Sequence, residues 1–461
     1  MYVCCSRLCT GNITLRHTTV RQAVVGIQGN GSNIHISNSE IYSCVQGLLL
    51  SGGVSKVQRE SYLGPILSKT KVMHNEKGAR VHAIVGQEFI FFDATYFDFN
   101  SYGVEVVNWA GINDGIVSSS LHFTNVFMSN NTNYGLVINI DTPLVIDIRG
   151  STFIGNRRGG IYFFIPWRHK AHEISITDTI FEDTNTGIRY DCHECNTSNM
   201  TIVGNKFDKL NCALYIIFLT RFTAQLARGN ITIANNAYTG NERDIVMTVN
   251  SLHELHIVRN LFYGTQEAIA IKNTTSTDTN IPIMIFENSF VNLVRGFTAV
   301  SLSFVKTIIS MNRFYNCSST TLVGLQNGFD HLIANNTFVN STESICYVQT
   351  KQSYTKGKAI SASFNYWDTS DIFAVKSKVC DFFVDSSKAV IDVTGFYEDS
   401  SMTKLNFSET IDLFRSAINP TTHVAYIGEI VDGDKDISNL GVSRLILNRS
   451  LLIKEGVTLR F

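Results

Sequence analysis

An Asn-any-aromatic motif returns along this chain about every 24 to 31 residues, and that period limits what the chain can fold into. The copies are Asn125/Phe127, Asn205/Phe207, Asn236/Tyr238, Asn260/Phe262, Asn288/Phe290, Asn312/Phe314, Asn336/Phe338 and Asn365/Trp367. Thr95/Phe97, Ser151/Phe153 and Thr179/Phe181 are weaker copies in the same register. Alternating apolar stretches precede them, such as Ile174-Ser175-Ile176 and Ile231-Thr232-Ile233, and Gly with a second apolar run often follows, as in Gly160-Ile161-Tyr162-Phe163. A fixed period of this length marks a repeat array. Helical repeats would need apolar residues at i, i+3, i+4 and i+7; here they alternate with period 2 in short runs rich in Ile, Val, Phe and Thr. Each repeat therefore holds two or three short strands. One coil cannot bury its apolar face alone, but stacked coils can, and going once around supplies the crossover that parallel pairing requires. The expected fold is all-β: a right-handed parallel β-helix of the pectate-lyase-like kind, followed by a short non-repeat segment and the start of a second β module.

In such a coil Asn suits the sharp corner between two sheets because it tolerates left-handed backbone angles. At the same corner in successive coils its amide both donates and accepts, forming a ladder. The aromatic two positions on points to the same side, so the rings should form a column in the core. The expected ladder and stack comprise Asn125, Phe127, Asn205, Phe207, Asn260, Phe262, Asn288, Phe290, Asn312, Phe314, Asn336, Phe338, Asn365 and Trp367.

The period divides the chain. Residues 1–120 read as less regular coils, with a loop insertion over Ser51 to Lys71, and residues 121–367 as the regular array. Residues 368–420 read as a capping and linking segment with room for a short helix, and Pro420 marks a break. Residues 421–461 begin a second β-helix module: Arg444-Leu445-Ile446-Leu447 and Leu451 to Leu459 look like strand, turn, strand. The regular array argues for one elongated body of about a dozen coils rather than several globular domains.

The net charge is −1 with no basic run, so the chain lacks the footprint of a nucleic-acid binder. Ten cysteines (Cys4, Cys5, Cys9, Cys44, Cys192, Cys195, Cys212, Cys317, Cys346 and Cys380) accompany twelve Asn-X-Ser/Thr sequons. The sequons, candidate glycosylation sites, are at Asn12, Asn30, Asn130, Asn196, Asn199, Asn230, Asn273, Asn316, Asn335, Asn340, Asn406 and Asn448. Together they favour an oxidising, extracellular setting. Met1 to Thr14 lacks the apolar segment of a secretory signal, and no run of about 18 apolar residues suits a membrane span. The chain thus reads as a piece of a longer surface protein.

The coils with Asn-X-Phe, the segment Phe364-Asn365-Tyr366-Trp367-Asp368 closing the array, and the restart Leu451-Leu452-Ile453-Lys454-Glu455-Gly456-Val457-Thr458-Leu459 resemble the bark beetle (Anakonda) family of large metazoan epithelial surface proteins. The resemblance covers nearly the whole chain as β-helix modules and none of that family's lectin-like, scavenger-receptor-like, CUB or transmembrane parts. It implies a non-catalytic adhesion or organising module at the extracellular face of the plasma membrane, working at tricellular and septate junctions. The implied partners are junction or other cell-surface proteins and glycans.

A β-helix also hosts polysaccharide lyases and hydrolases, so a secreted polysaccharide-acting enzyme or carbohydrate-binding protein is the alternative. Glycoside hydrolysis wants two carboxylates at a set separation on one face. Asp147, Asp178 and Asp208 fall at different places in their coils, and the sequence motifs of polygalacturonases and alginate epimerases are missing. No catalytic residue, cofactor or metal is therefore assigned. Asp191-Cys192-His193-Glu194-Cys195 has metal-ligand residue types but no second half for a zinc site; a turn with disulfides within it or to Cys212 is expected. His172, His253 and His256 are expected to face outward. Phe164, Trp167 and Arg168 fall where a turn should protrude, and aromatic and Arg side chains there would anchor a partner; alternatively Trp167 packs over the coil's outside.

Overall fold

Three strands make each coil, and the same three-strand plan already holds at the first described residues. The computed structural model describes residues 12–30, 33–51, 66–83, 88–108, 119–140, 144–165, 172–193, 198–219, 229–250, 252, 254–274, 282–294, 297–303, 305–326, 331–351, 359–381, 388–393 and 395–406; after these it describes 418–419, 424–431, 435–436, 444–453, 456 and 458–460. Two compact units are distinguished, Met1–Ile281 and Pro282–Phe461.

In the first unit the strands fall into three parallel sheets, A, B and C, visited in that order by every coil. Sheet A runs from Asn12–Arg16 to Glu254–Val258, sheet B from Thr19–Arg21 to Leu261–Tyr263, and sheet C from Val25–Asn30 to Glu267–Asn273. Pairing is parallel and in register, for example Ile161 with Ile188 and Ile188 with Leu214. The arrangement is a parallel β-helix. The stretch expected to be irregular follows the same plan from Asn12 onward, because Ile34, Ile36, Ile41, Leu48 and Leu50 supply the alternating inward residues there. A register shift occurs in the strand Glu88–Asp93, where Phe92 turns inward with φ +62 and packs against Phe97 and Phe123.

The second unit repeats the plan with Pro282–Phe286, Lys306–Ser310, Leu332–Ala334, Ala359–Ser361 and Val390–Asp392 in sheet A. Ser289–Val291, Arg313–Tyr315 and Thr337–Val339 form its sheet B, and Thr298–Ser303, Thr321–Gln326, Cys346–Thr350 and Val379–Cys380 its sheet C. The helix Ile372–Ser377 falls in the expected capping segment and is the only helix among the described residues. A disulfide joins Cys346 to Cys380, across paired sheet-C strands, which cysteine spacing did not reveal. Further on, the strand Arg444–Ile453, paired parallel with Val424–Val431, is followed by a turn at Gly456 and the short strand Leu459–Arg460.

The corner between sheets A and B holds the ladder. Asn205 donates from both its backbone N–H (2.9 Å) and its Nδ2 (3.0 Å) to Oδ1 of Asn236, which does the same to Asn260. Each Nδ2 also reaches a carbonyl of the coil before, as Asn236 does to Ile202 at 2.9 Å. The second unit repeats the grip along Asn288, Asn312, Asn336 and Asn365. Ser39 and Ser151 meet the same N–H groups with hydroxyls instead. The left-handed residue, however, is not the ladder Asn but the one before it: Gly204, Asn235 and Arg259, then Glu287, Met311, Asn335 and Phe364, all with φ between +54 and +70. An extended Asn can aim both donors along the stack; the residue ahead of it absorbs the bend.

The rings stack as expected over most of the array. Phe153, Phe181, Phe207, Tyr238 and Phe262 follow one another at 4.9–5.1 Å with interplanar angles of at most 8°. Phe290, Phe314, Phe338 and Trp367 stack in the second unit at 4.4–5.1 Å, with interplanar angles of 6–26°. Asn125 and Phe127 are the exception. Asn125 is exposed at φ +53 and Phe127 half-buried on the outer face, while Val126 and Met128 fill the ladder and stack places. There Asn125 is the bending residue that precedes the ladder place, so the motif is displaced by one position. The strand after the second corner passes so close to the ring column that a Cβ on Gly160 would lie 2.7 Å from both the Gly187 carbonyl oxygen and Phe181 Cδ1.

Three variants check this packing. Gly160→Ala should lose about 1–3 kcal/mol, since neither the backbone oxygen nor the stacked ring can retreat; an unchanged urea midpoint would place the column elsewhere. Asn312→Ala should lose about 1–3 kcal/mol by orphaning the Asn288 N–H, whereas Asn125→Gly should stay within about 0.5 kcal/mol.

Candidate functional site

The second corner, between sheets B and C, carries a further ladder that the Asn-any-aromatic motif missed. Asn75, Asn100, Asn131 and Asn156 are buried there, each accepting at Oδ1 from the backbone N–H of the previous coil, at 2.9–3.2 Å. Their signal was present: each lies three residues after a stack position, as in Phe97 to Asn100 and Phe153 to Asn156. Cys44 and Cys317 take the same place in other coils and are free and buried. Burial pushes the Cys317 thiol up to about 11 and Cys212, also free, up to about 12. These thiols are inert core residues.

The densest polar and aromatic constellation lies on the outer face of sheet C in the first unit. Tyr162, Arg189 and Tyr215 are register neighbours on the strands Gly159–Ile165, Thr186–His193 and Cys212–Leu219. Alternation turns them outward while Ile161, Phe163, Ile188, Tyr190 and Ile216 fill the core. The Arg189 guanidinium sits 5.2 Å from the Tyr162 ring centroid and 5.4 Å from that of Tyr215. Tyr134 stacks on Tyr162 at 5.1 Å, its ring lying over Gly159, where a Cβ would come within 2.8 Å of it. Asp191, almost fully buried, holds the array: its Oδ2 accepts from Arg189 Nε at 2.9 Å and Nη2 at 2.8 Å and from the Tyr162 hydroxyl at 3.1 Å. Burial, then the Asp191 charge, pushes the Tyr162 hydroxyl up to about 12. It is a donor, not a base. One carboxylate, already committed to an arginine, offers no acid–base pair; what the array offers is a rigid surface of ring edges, hydroxyls and one cation.

Phe164, from the candidate partner loop, belongs to the same face, half-buried 6.1 Å from the Tyr162 ring. Trp167 and Arg168 lie outside the described residues, as do Cys4, Cys5, Cys9, Cys195, Asn196 and His253. Cys192 is disulfide-bonded and Asp191 ion-paired, so neither is available to a metal; no cluster of three metal-ligating residues occurs among the described residues. Of the two disulfide arrangements expected for this turn, the one to Cys212 is overturned, since Cys212 is a free thiol. His172 is also corrected: it faces the core, and burial pushes it down to about 4. Its strand His172–Thr177 alternates inward at His172, Ile174 and Ile176. Asp147 lies on sheet A, Asp178 at a corner and Asp208 on sheet B. They do not share a face.

Among the sequons, Asn130, Asn199, Asn230, Asn316 and Asn340 are exposed, and Asn335 and Asn406 half-buried. Asn273 is 1% exposed, turned inward by the alternation of its strand. Asn12, Asn30 and Asn448 lie on strands, but their side chains are outside the described residues. No helix among the described residues is long and apolar enough to cross a membrane.

One buried carboxyl stands apart from the surface array. Asp244 occupies the core place that Gly187 and Ala213 hold in earlier coils, fully buried, with Oδ1 accepting from Asn241 Nδ2 at 2.8 Å. Desolvation pushes its pKa up to about 8.

Comparison of the chain with known protein families, with curated proteins and with solved structures yields no match.

Folded, Asp244 keeps its proton up to about pH 8; unfolded, it releases it near its ordinary 3.8. Between those values the unfolded chain binds fewer protons, so stability falls as pH rises from about 4 to about 8 and then levels off. Asp244→Asn should remove that fall, melting higher than the natural chain at pH 8 and close to it at pH 4. A variant whose melting temperature still declined across that window would assign the titration to another group.

Proposed function

We propose that this chain is a non-catalytic structural and adhesion module of a larger cell-surface protein, as its resemblance to the bark beetle family implies. The coils act as a stiff support, and the contact surface is the outer face of sheet C in the first unit. The observation that carries this reading is the array of Tyr134, Tyr162, Arg189 and Tyr215, held in one geometry by Asp191. Tyrosine and arginine are the residues that interfaces concentrate at their energetic centres, and side chains fixed beforehand lose little entropy on binding. Exposed sequon asparagines at several places on the coils, and a disulfide tying Cys346 to Cys380, support an oxidising, extracellular environment. Partners at epithelial junctions are part of the same proposal and rest on the resemblance.

The test uses the whole chain, secreted from cultured cells and coupled to beads. Such beads should aggregate or adhere to epithelial cell surfaces, and Tyr215→Ala should weaken that adhesion about tenfold or more while leaving the melting temperature nearly unchanged. Adhesion that survives removal of Tyr215 would move the contact to another face. Absence of adhesion, with cleavage of a polysaccharide by the same protein, would replace the reading with the enzymatic one.

A further inference from the structure

Phe99 is placed where an aromatic residue gains least from its own fold. It bends the corner between sheets B and C at φ +53, in the left-handed region that bulky side chains avoid, and leaves 51% of its surface exposed. The same corner position in neighbouring coils is held by His74, Asn130 and Gly155, as the repeated backbone bonds show: His74 N–H donates to Asp98, Phe99 to Ser129, Asn130 to Ile154 and Gly155 to Glu182. The His74 ring lies flat on one face of Phe99, at 5.1 Å and 2°. On the other side, one coil further, stands Asn130 of the sequon Asn130-Asn131-Thr132, exposed and also left-handed at φ +52.

The Asn130 amide has a direction. Its Nδ2 donates to Asp98 Oδ1 at 3.1 Å, back toward the coil that carries Phe99. Its Oδ1 faces the following coil, 2.8 Å from where a Cβ on Gly155 would stand. Nδ2, which carries two protons, thus lies on the side of the coil that holds Phe99; a sugar replaces one proton there and the other keeps the bond to Asp98. Tyr96, 46% exposed, and Phe127, 5.6 Å from it, extend the exposed aromatic surface on the adjoining sheet-B strands. A pyranose ring presents an apolar face of C–H groups, which packs on an aromatic ring and removes its surface from water.

From this geometry we infer that Asn130 is an N-glycosylation site whose first N-acetylglucosamine lies against the free face of Phe99, completing a stack of His74, Phe99 and sugar. The inference rests on the extracellular reading above. It adds which sequon is used as a structural element: the glycan shields an apolar patch on the coil surface instead of hanging free. Asn316 is the internal comparison. It sits at the same corner position in the second unit, exposed at φ +52, but its Nδ2 meets Asn292 Oδ1 at 2.8 Å, and the corner position one coil before it is held by that Asn292 in place of an aromatic ring.

The full chain is secreted from cells that make only high-mannose glycans, and its glycopeptides are mapped. It is then trimmed enzymatically to one sugar per site, and the sugar protons are assigned by NMR with Asn130→Gln and Asn316→Gln variants. Asn130 should be occupied, and the ring protons of its sugar should be shifted upfield, by the ring current, relative to the sugar on Asn316. Phe99→Gly, which relieves the left-handed backbone and leaves the core untouched, should abolish that shift while Asn130 stays occupied. Occupied Asn316 with empty Asn130, or coincident sugar resonances at the two sites, would overturn the inference alone. A secreted chain with no glycan at any sequon would overturn the extracellular reading as well.

Discussion

Each corner amide between sheets A and B grips the coil before it with one oxygen and the coils on both sides with its nitrogen, and the rest of the structure depends on that grip. In parallel pairing a slip of one residue would turn every inward side chain to water. The Asn236 amide prevents the slip by fixing a backbone N–H, a neighbouring amide and a carbonyl at once. Because these groups are buried, leaving any of them unpaired costs more than the bond gains in isolation. The ring column then follows two residues later, at a spacing of about 5 Å that matches the pairing distance of the strands.

The column in turn decides what the next strand can be. Phe181 presses so close to the strand after the second corner that Gly160 has no room for a Cβ. Where the column carries Tyr238, the corresponding place is Asp244, a carboxyl kept neutral by burial. At that place the core holds a carboxyl, and folding retains its proton.

Outside, the same alternation produces the opposite chemistry. The strand Thr186–His193 sends Ile188 and Tyr190 inward and Arg189 outward, so the outward arginine is held by a backbone fixed from within. Asp191 is the link: nearly buried, it ties the outward arginine and the Tyr162 hydroxyl to the coil surface. The bond that rigidifies the array also uses up the carboxylate that acid–base chemistry on this face would need. Phe99 stands at the corner with its ring half in water, one coil before an asparagine whose amide donates to the neighbouring Asp98.

The sequence by itself determined the period, the parallel coil, the ladder from Asn205 to Asn260 and from Asn288 to Asn365, and most of the ring column. These are read from local alternation and from one repeated spacing, both of which survive without knowledge of neighbours. It misplaced Asn125 and Phe127 because Asn serves equally as the bending residue and as the ladder residue, and only the pairing register separates the two uses. It turned His172 outward and left Cys346 and Cys380 unpaired, since the face of a short strand and the meeting of distant cysteines are set by how coils stack. The surface array of Tyr134, Tyr162, Arg189 and Tyr215 was invisible for the same reason. Its members are about a coil apart in sequence and become neighbours only when the strands lie side by side.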